Sequence, residues 1–410
     1  MNKKLLLLIV SLIVAWTLPA SAGGSAYSRY GFGDLTLYGG SRIYALGGAG
    51  ISLVTDGFIN RLNPAALAKI SLTRFSGGFE YSRLDSRADD GNSTYARGGF
   101  QGIAFAIPIS RPDGVVMSME TSPYSIVSYA VQQSALQSGV SSDQTYYGSG
   151  GLSSITLGLS ASIMNGLHVG GKLNYLYGST RQLATIKFAD ASLTNYSIDR
   201  SSFYSGLNFT LGAILENVGG TVGIAPLKNL NAGIVLTTPT SLSVTEHRSY
   251  SSIETTLTRT GHADVPLTVG IGTSYVLGTR YQVVGDFVMQ QWGSALTYGI
   301  HPAELRNSLR VALGLEVMPE RSTSSYLQSL VFRAGFSYHS TYYEVNGQPV
   351  DELLVTGGIG LPIGLDSRLN IGLQAGVRGT MAAGLQKDTI IRLSLTISAS
   401  EAWFLKFEEE

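Results

Sequence analysis

Apolar and polar residues alternate with a period of two along most of this chain, and that pattern leaves few folds open. Leu309, Val311, Leu313, Leu315 and Val317 are separated by Arg310, Ala312, Gly314 and Glu316. Leu369, Ile371, Leu373, Ala375 and Val377 alternate in the same way with Asn370, Gly372, Gln374 and Gly376. Successive side chains of a β-strand point to opposite faces, so one face is apolar and the other small, polar or charged. The runs last roughly 10 to 15 residues, whereas strands of a soluble sandwich average about 5–6. Such lengths suit tilted strands crossing a hydrocarbon layer. Fourteen segments follow one another, near 73–86, 97–110, 114–132, 150–164, 167–188, 197–216, 229–247, 265–277, 281–293, 307–318, 328–343, 351–363, 366–379 and 388–400. An even number of antiparallel strands closes a bacterial barrel without an exposed edge. The expected fold is therefore all-β, a 14-stranded antiparallel transmembrane β-barrel.

Composition removes other classes. Charged residues make up 14% of the 410 residues, against roughly 25% in a soluble domain. Twenty-eight basic residues balance 28 acidic ones, so no electrostatic footprint for nucleic acid exists. With no Cys there is no disulfide framework, thiolate zinc site or cysteine nucleophile. The five histidines, His168, His247, His262, His301 and His339, show no metal-ligand spacing and no catalytic motif. Neither an enzyme, a metal nor a cofactor is expected.

The ends and connections give the domain plan. Lys3 and Lys4, the apolar run Leu5 to Val14, and Ala20-Ser21-Ala22 have the form of a signal peptide over 1–22. Residues 23–71 precede the alternation, 72–404 form the barrel, and 405–410 are a short periplasmic tail. The tail follows Trp403-Phe404 and departs from the aromatic last residue common in such barrels. Short connections at 111–113, 165–166, 277–280 and 364–365 follow even-numbered strands; longer polar ones at 133–149, 189–196, 248–264 and 294–306 follow odd-numbered strands. The connections near 217–228 and 319–327 are longer than this rule expects. Short periplasmic turns and long external loops then put both barrel ends in the periplasm. Tyr81, Tyr175, Tyr177, Tyr275, Tyr338, Trp292 and Trp403 fall near strand ends, where interfacial girdles belong.

Residues 24–70 do not alternate. Asn63 is a good N-cap and Pro64 a good first residue for a short helix to Ile70. Leu37, Ile43, Ala45, Leu46, Ile51, Leu53, Ile59 and Leu62 make the segment too apolar to stay solvated. The lumen is the nearest place to bury it.

The order Gly40-Ser41-Arg42-Ile43-Tyr44-Ala45-Leu46-Gly47-Gly48-Ala49-Gly50, then Asp56, then Asn63-Pro64-Ala65, resembles the N-terminal hatch of FadL-type long-chain fatty-acid transporters. The likeness covers nearly the whole mature chain. It implies a hatch plugging the lumen, with Asn63, Pro64 and Ala65 beside a kink in the third strand. In that family the kink opens a lateral exit through which an apolar substrate reaches the outer membrane. Pro123 lies inside the third alternating segment and cannot donate a ladder hydrogen bond, which gives this chain its own reason for such a break.

Most inward positions are polar, but Val116, Met164, Val284, Val288, Val331 and Leu354 fall on the inward phase too. With hatch residues they would line an apolar pocket, or simply pack against the hatch. The implied role is a monomeric outer-membrane channel for passive uptake of hydrophobic small molecules. Its partners would be outer-membrane lipid, lipopolysaccharide and the barrel-assembly machinery. A FadL-like, PorV-like scaffold in protein secretion or surface attachment is the alternative from another class, and a general porin a third.

Overall fold

The computed structural model describes residues 24–36, 39–89, 91–137, 140–190, 192–251, 253–319, 325–364 and 366–401. The expected signal peptide, Leu37, Trp403 and the tail lie outside them. The strands are β1 (Asp34–Leu35), β2 (Thr73–Ala88), β3 (Gly91–Ser110), β4 (Val115–Pro123), β5 (Ser125–Gln137), β6 (Val140–Met164), β7 (Leu167–Phe188), β8 (Tyr196–Leu215) and β9 (Leu230–Thr237). They continue with β10 (Thr240–Tyr250), β11 (Ile253–Val265), β12 (Thr268–Leu277), β13 (Tyr281–Gln290), β14 (Ser308–Val317), β15 (Val331–Val345), β16 (Gln348–Pro362), β17 (Arg368–Gly379) and β18 (Lys387–Glu401).

From β2 onward the strands form one closed antiparallel ring, with β18 pairing back onto β2 from Lys387↔Arg87 to Glu401↔Thr73. Three wall strands are each broken in two, β4 from β5, β9 from β10 and β11 from β12, so the wall is 14-stranded. All three breaks coincide with a proline: Pro123, Pro239 and Pro266. Proline lacks the N–H that a ladder needs. The breaks at Pro239 and Pro266 face each other, with Thr237↔Thr268 on one side and Thr240↔Val265 on the other, so the wall stays paired across them.

Two expected loops are strands. Residues 133–149 and 248–264 continue as hairpins, with β5 and β6 paired out to Gln137↔Val140 and β10 and β11 out to Tyr250↔Ile253. Beyond the lipid a strand needs no apolar outer face, so the alternation fades while the backbone ladder persists.

Within the lipid band the phase is clear. On β14, Leu313 and Leu315 are exposed, while Ala312 and Glu316 are buried inside. Tyr175, Tyr177 and Tyr338 are partly exposed on the wall. Trp292 is not a girdle residue: it is fully buried, its ring 5.8 Å from Phe32 and 4.8 Å from Tyr342. It sits in a loop after β13 that folds inward, and neighbouring apolar residues override the preference of Trp for an interface.

Residues 39–70 pack on the inner face of this wall. A short helix, Gly40–Ala45, has no counterpart among the sequence expectations; the short helix expected after Asn63 is the 3-10 helix Pro64–Lys69. Ile43, Leu46, Leu53 and Phe58 bury against Val284 and Ala312, and Ile59, Leu67 and Ile70 against Ala104, Ala106 and Val116. Each such side chain contributes about 1.5–3 kcal/mol when buried.

The wall carries Gly where this segment comes closest: a Cβ on Gly335 would sit 2.3 Å from the Gly47 nitrogen and 2.4 Å from the Leu46 carbonyl carbon. Gly335→Val is expected to displace residues 43–48 and leave the ring intact. Trypsin then cuts at Arg42 in the variant but not in the unaltered protein, while both keep the heat-modifiable gel shift of a closed barrel.

Candidate functional site

The break at Pro123 differs from the other two because it has no counterpart in the neighbouring strand. β3 pairs with β4 only from Ile103↔Thr121 to Ser110↔Val115. Among the described residues no register joins Gly91–Gly102 of β3 to β5. Across this seam the Tyr95 hydroxyl reaches the Ala130 carbonyl at 3.4 Å. β6 runs unbroken beside both β4 and β5 and bends at Gly150 and Gly151 (φ 108° and 142°), where a Cβ on Gly151 would lie 2.2 Å from the Ser125 oxygen.

The edge that β5 turns away from β3 is taken up by the N-terminal segment. β1 pairs with it as Asp34↔Ile126 and Leu35↔Ser125. The Thr36 amide donates to Tyr124 O (3.0 Å) and its hydroxyl to Pro123 O (2.6 Å). Ser28 Oγ donates to Ser128 O (2.9 Å) and accepts from the Ser128 amide (3.1 Å). On its other side the segment is held by charge. Arg378 donates to Asp34 (2.9 Å) and to the fully buried Asp388 (3.2 Å), which also accepts from Ser25 Oγ (2.7 Å).

A cavity of about 340 Å³ lies behind the seam. Leu84, Tyr95 and Arg97 line it from one side of the gap, and Leu35 and Ile126 from the other. Deeper in, Val288 and Leu354 meet Arg310, Glu352 and Arg392. Of the six apolar residues expected to share a pocket, only Val288 and Leu354 line this cavity. Val116 and Val284 are fully buried against the N-terminal segment. Val331 is buried but outside the cavity lining, and Met164 is 60% exposed. A register shift between Ser162 and Met164 carries Met164 out of the inward phase, which a strict period of two cannot anticipate.

The other inward residues form ion pairs rather than an apolar path. Glu316 binds Arg42 through both oxygens (2.9 and 2.7 Å) and Arg333 (2.6 Å); Lys172 binds Glu120 (2.6 Å). Asp286 accepts from the amides of Gly50 (2.7 Å) and Ile51 (2.9 Å). Asn63 is wholly buried: its Nδ2 faces the carbonyls of Ile51 (3.0 Å), Ala213 (3.3 Å) and Ile234 (3.2 Å), and its Oδ1 accepts from the Ala65 amide (3.0 Å). Pro64 and Ala65 start the turn that this cap fixes. At the same level His168 bridges Ser162 (2.8 Å) and Glu216 (2.5 Å), with Lys69 also on Glu216 (3.0 Å).

A family model described as BamG matches residues 1–408. The chain belongs to the BamG family. No curated protein matches it. Solved structures share its fold at low identity. A Pseudomonas aeruginosa FadL homologue has 11% identity and a TM-score of 0.62, covering 90% of this chain and 99% of its own. The Pseudomonas putida toluene transporter TodX has 14% and 0.58 over 90% and 100%. A monoaromatic hydrocarbon channel, CymD, has 14% and 0.55 over 90% and 99%. The likeness to FadL-type transporters therefore holds for the fold, while the family to which this chain belongs carries another name.

Asn63→Ala removes a cap and leaves buried carbonyls unpaired, a cost of about 1–3 kcal/mol per orphaned group. Hydrogen exchange over residues 60–70 is expected to accelerate, with wall strands unchanged. Asp56 supplies a pH test. Burial would raise its carboxyl, but hydrogen bonds from Ser71 and the Arg74 guanidinium outweigh that and hold it below the ordinary carboxylate range. A depressed carboxylate stabilises fully above its unfolded pKa, and that contribution is lost as pH falls through the folded value. Acidification should loosen residues 55–72, and Asp56→Asn should remove this pH dependence.

Proposed function

We propose that this chain is an outer-membrane channel for hydrophobic small molecules, with residues 23–71 as its hatch and lateral release through the seam between β3 and β5. The observation that carries this reading is that the internal cavity reaches the gap where no register joins Gly91–Gly102 of β3 to β5. A hydrophobe leaving by that route passes into lipid without crossing water, so its transfer needs no chemistry. The neighbouring structures are named as channels for toluene and monoaromatic hydrocarbons. Long-chain fatty acids or similar compounds would be the cargo. The chain would act as a monomer, among outer-membrane lipid and lipopolysaccharide, after insertion by the barrel-assembly machinery. A general porin fits poorly, because a water-filled bore needs a polar open lumen and here the N-terminal segment packs across it.

A second reading, a scaffold within a larger assembly, is favoured by the ion pairs that fix the interior and by a family name distinct from those channels. Hydrophobe uptake into vesicles separates the two. Val288→Asp and Leu354→Asp are expected to reduce uptake severely in barrels that remain folded. Unchanged uptake would end the cavity route. No uptake by the unaltered protein, together with stable co-purification of secretion partners, would establish the scaffold.

A further inference from the structure

Packed side chains lie along the bore on both sides of the cavity, and its flank meets the seam. Away from the end where β2 starts and β18 finishes, a dry cluster spans the ring. Tyr27, Phe32, Trp292, Leu305, Tyr342 and Tyr343 are all 6% exposed or less, and Tyr342 Oη donates to the Gly33 carbonyl at 2.5 Å. Towards the other end lie the buried residues 43–70. A solute arriving from water would have to disperse one of these packed layers. A molecule in the bilayer meets the seam instead, sealed by the two-residue pairing of β1 with β5, the hydrogen bonds of Thr36 to Pro123 and Tyr124 and of Ser28 to Ser128, and the Tyr95 contact.

The charges behind the seam are unevenly engaged. Arg378 is held by Asp34 and Asp388, and Arg392 by Glu352 at 3.3 Å. Arg97, beside the seam, and Arg310, deeper in, line the cavity without a side-chain hydrogen bond or close ion pair among the described residues; Arg310 feels Asp286 and Glu352 at longer range, and Glu80 also lines the cavity. A guanidinium whose N–H donors lack a hydrogen-bonded partner favours phosphate or carboxylate oxygens. Leu84, Leu35 and Ile126 supply apolar surface between these groups and the lipid.

We infer that the cavity is loaded sideways from the bilayer by an anionic-headed lipid, its head at Arg97 and Arg310 and its acyl chain trailing through the seam. This rests on the reading of the seam as an opening. It adds a direction of passage, entry from the membrane beside the release already proposed, and the chemistry of the head.

The chain has no Cys, so an engineered pair is unambiguous. Leu35 and Ser125 are cross-strand partners, a spacing that a disulfide can bridge. The full mature chain bearing Leu35→Cys and Ser125→Cys is placed in phosphatidylcholine vesicles containing a photoactivatable, diazirine-tailed phosphatidylglycerol. A parallel sample receives a water-borne, short-chain diazirine carboxylate. With the pair reduced, the lipid probe is expected to label the peptides carrying Val288 and Leu354. Oxidation should abolish that labelling and reduction restore it, and single-cysteine variants should be insensitive to both. The water-borne probe should not reach those peptides in either state. Lipid labelling that survives the lock, or labelling by the water-borne probe with the lock closed, overturns sideways loading and leaves a passage for hydrophobes standing. No labelling by either probe overturns both. Arg310→Gln and Arg97→Gln should each erase the preference for the phosphatidylglycerol probe over a diazirine-tailed phosphatidylcholine; a preference retained in both overturns the assignment of the head.

Discussion

Every backbone N–H and C=O that meets lipid has to find a partner within the protein, and the rest of this structure follows from that demand. In hydrocarbon no water can satisfy an unpaired group, so a spanning sheet must close on itself. Pairing of β18 with β2 achieves this closure. Apolar outer faces, small inner residues and short turns are what a closed ring needs in order to sit in a bilayer with its interior filled.

Against that demand the seam beside β5 is a costly exception, and the chain offsets it internally. The carbonyls of Pro123, Tyr124 and Ser128 accept from Thr36 and Ser28 where β3 is missing. The N-terminal segment therefore acts as a substitute neighbour for a bent wall strand as well as filling the bore. The arrangement is asymmetric. Residues 39–70 are fixed by buried apolar side chains and by ion pairs such as Glu316 with Arg42, whereas Asp34–Leu35 rests on a two-residue ladder, one shared arginine and the Tyr343 hydroxyl. Removing one partner of a buried pair costs about 3–5 kcal/mol, so the deeper part is the harder to move.

The interior is also more ionic than a simple hydrophobe conduit requires. Buried charges such as Glu316, Lys172 and Asp286 are tolerated because they meet an opposite charge or backbone amides. The Arg42–Glu316–Arg333 group, and Lys172 and Glu120 through Arg61, pin the segment to wall strands far apart in sequence. This rigidity serves a gated passage and a fixed scaffold equally well; the location of the cavity against the seam weighs towards passage.

The sequence by itself determined the barrel, its strand number and the burial of the N-terminal segment, because each rests on local period and composition. Pro123, Pro239 and Pro266 are each a local signal for a strand break, and the expectation drawn from the sequence covers only the first. It could not say which break would open the wall: Pro239 and Pro266 face each other and preserve pairing, while Pro123 faces an uninterrupted β3. Nor could it assign the six inward apolar residues, since a register shift moved Met164 outward and the path of residues 43–70 decided that Val116 and Val284 would be covered while Val288 and Leu354 stayed on a cavity. Asp34 lies 344 residues from Arg378, and nothing local signalled that it would meet the Arg378–Asp388 cross-strand pair. Period and propensity are properties of neighbours along the chain; which edges lack a partner, and which charges meet, are fixed only when the ring closes around its own beginning.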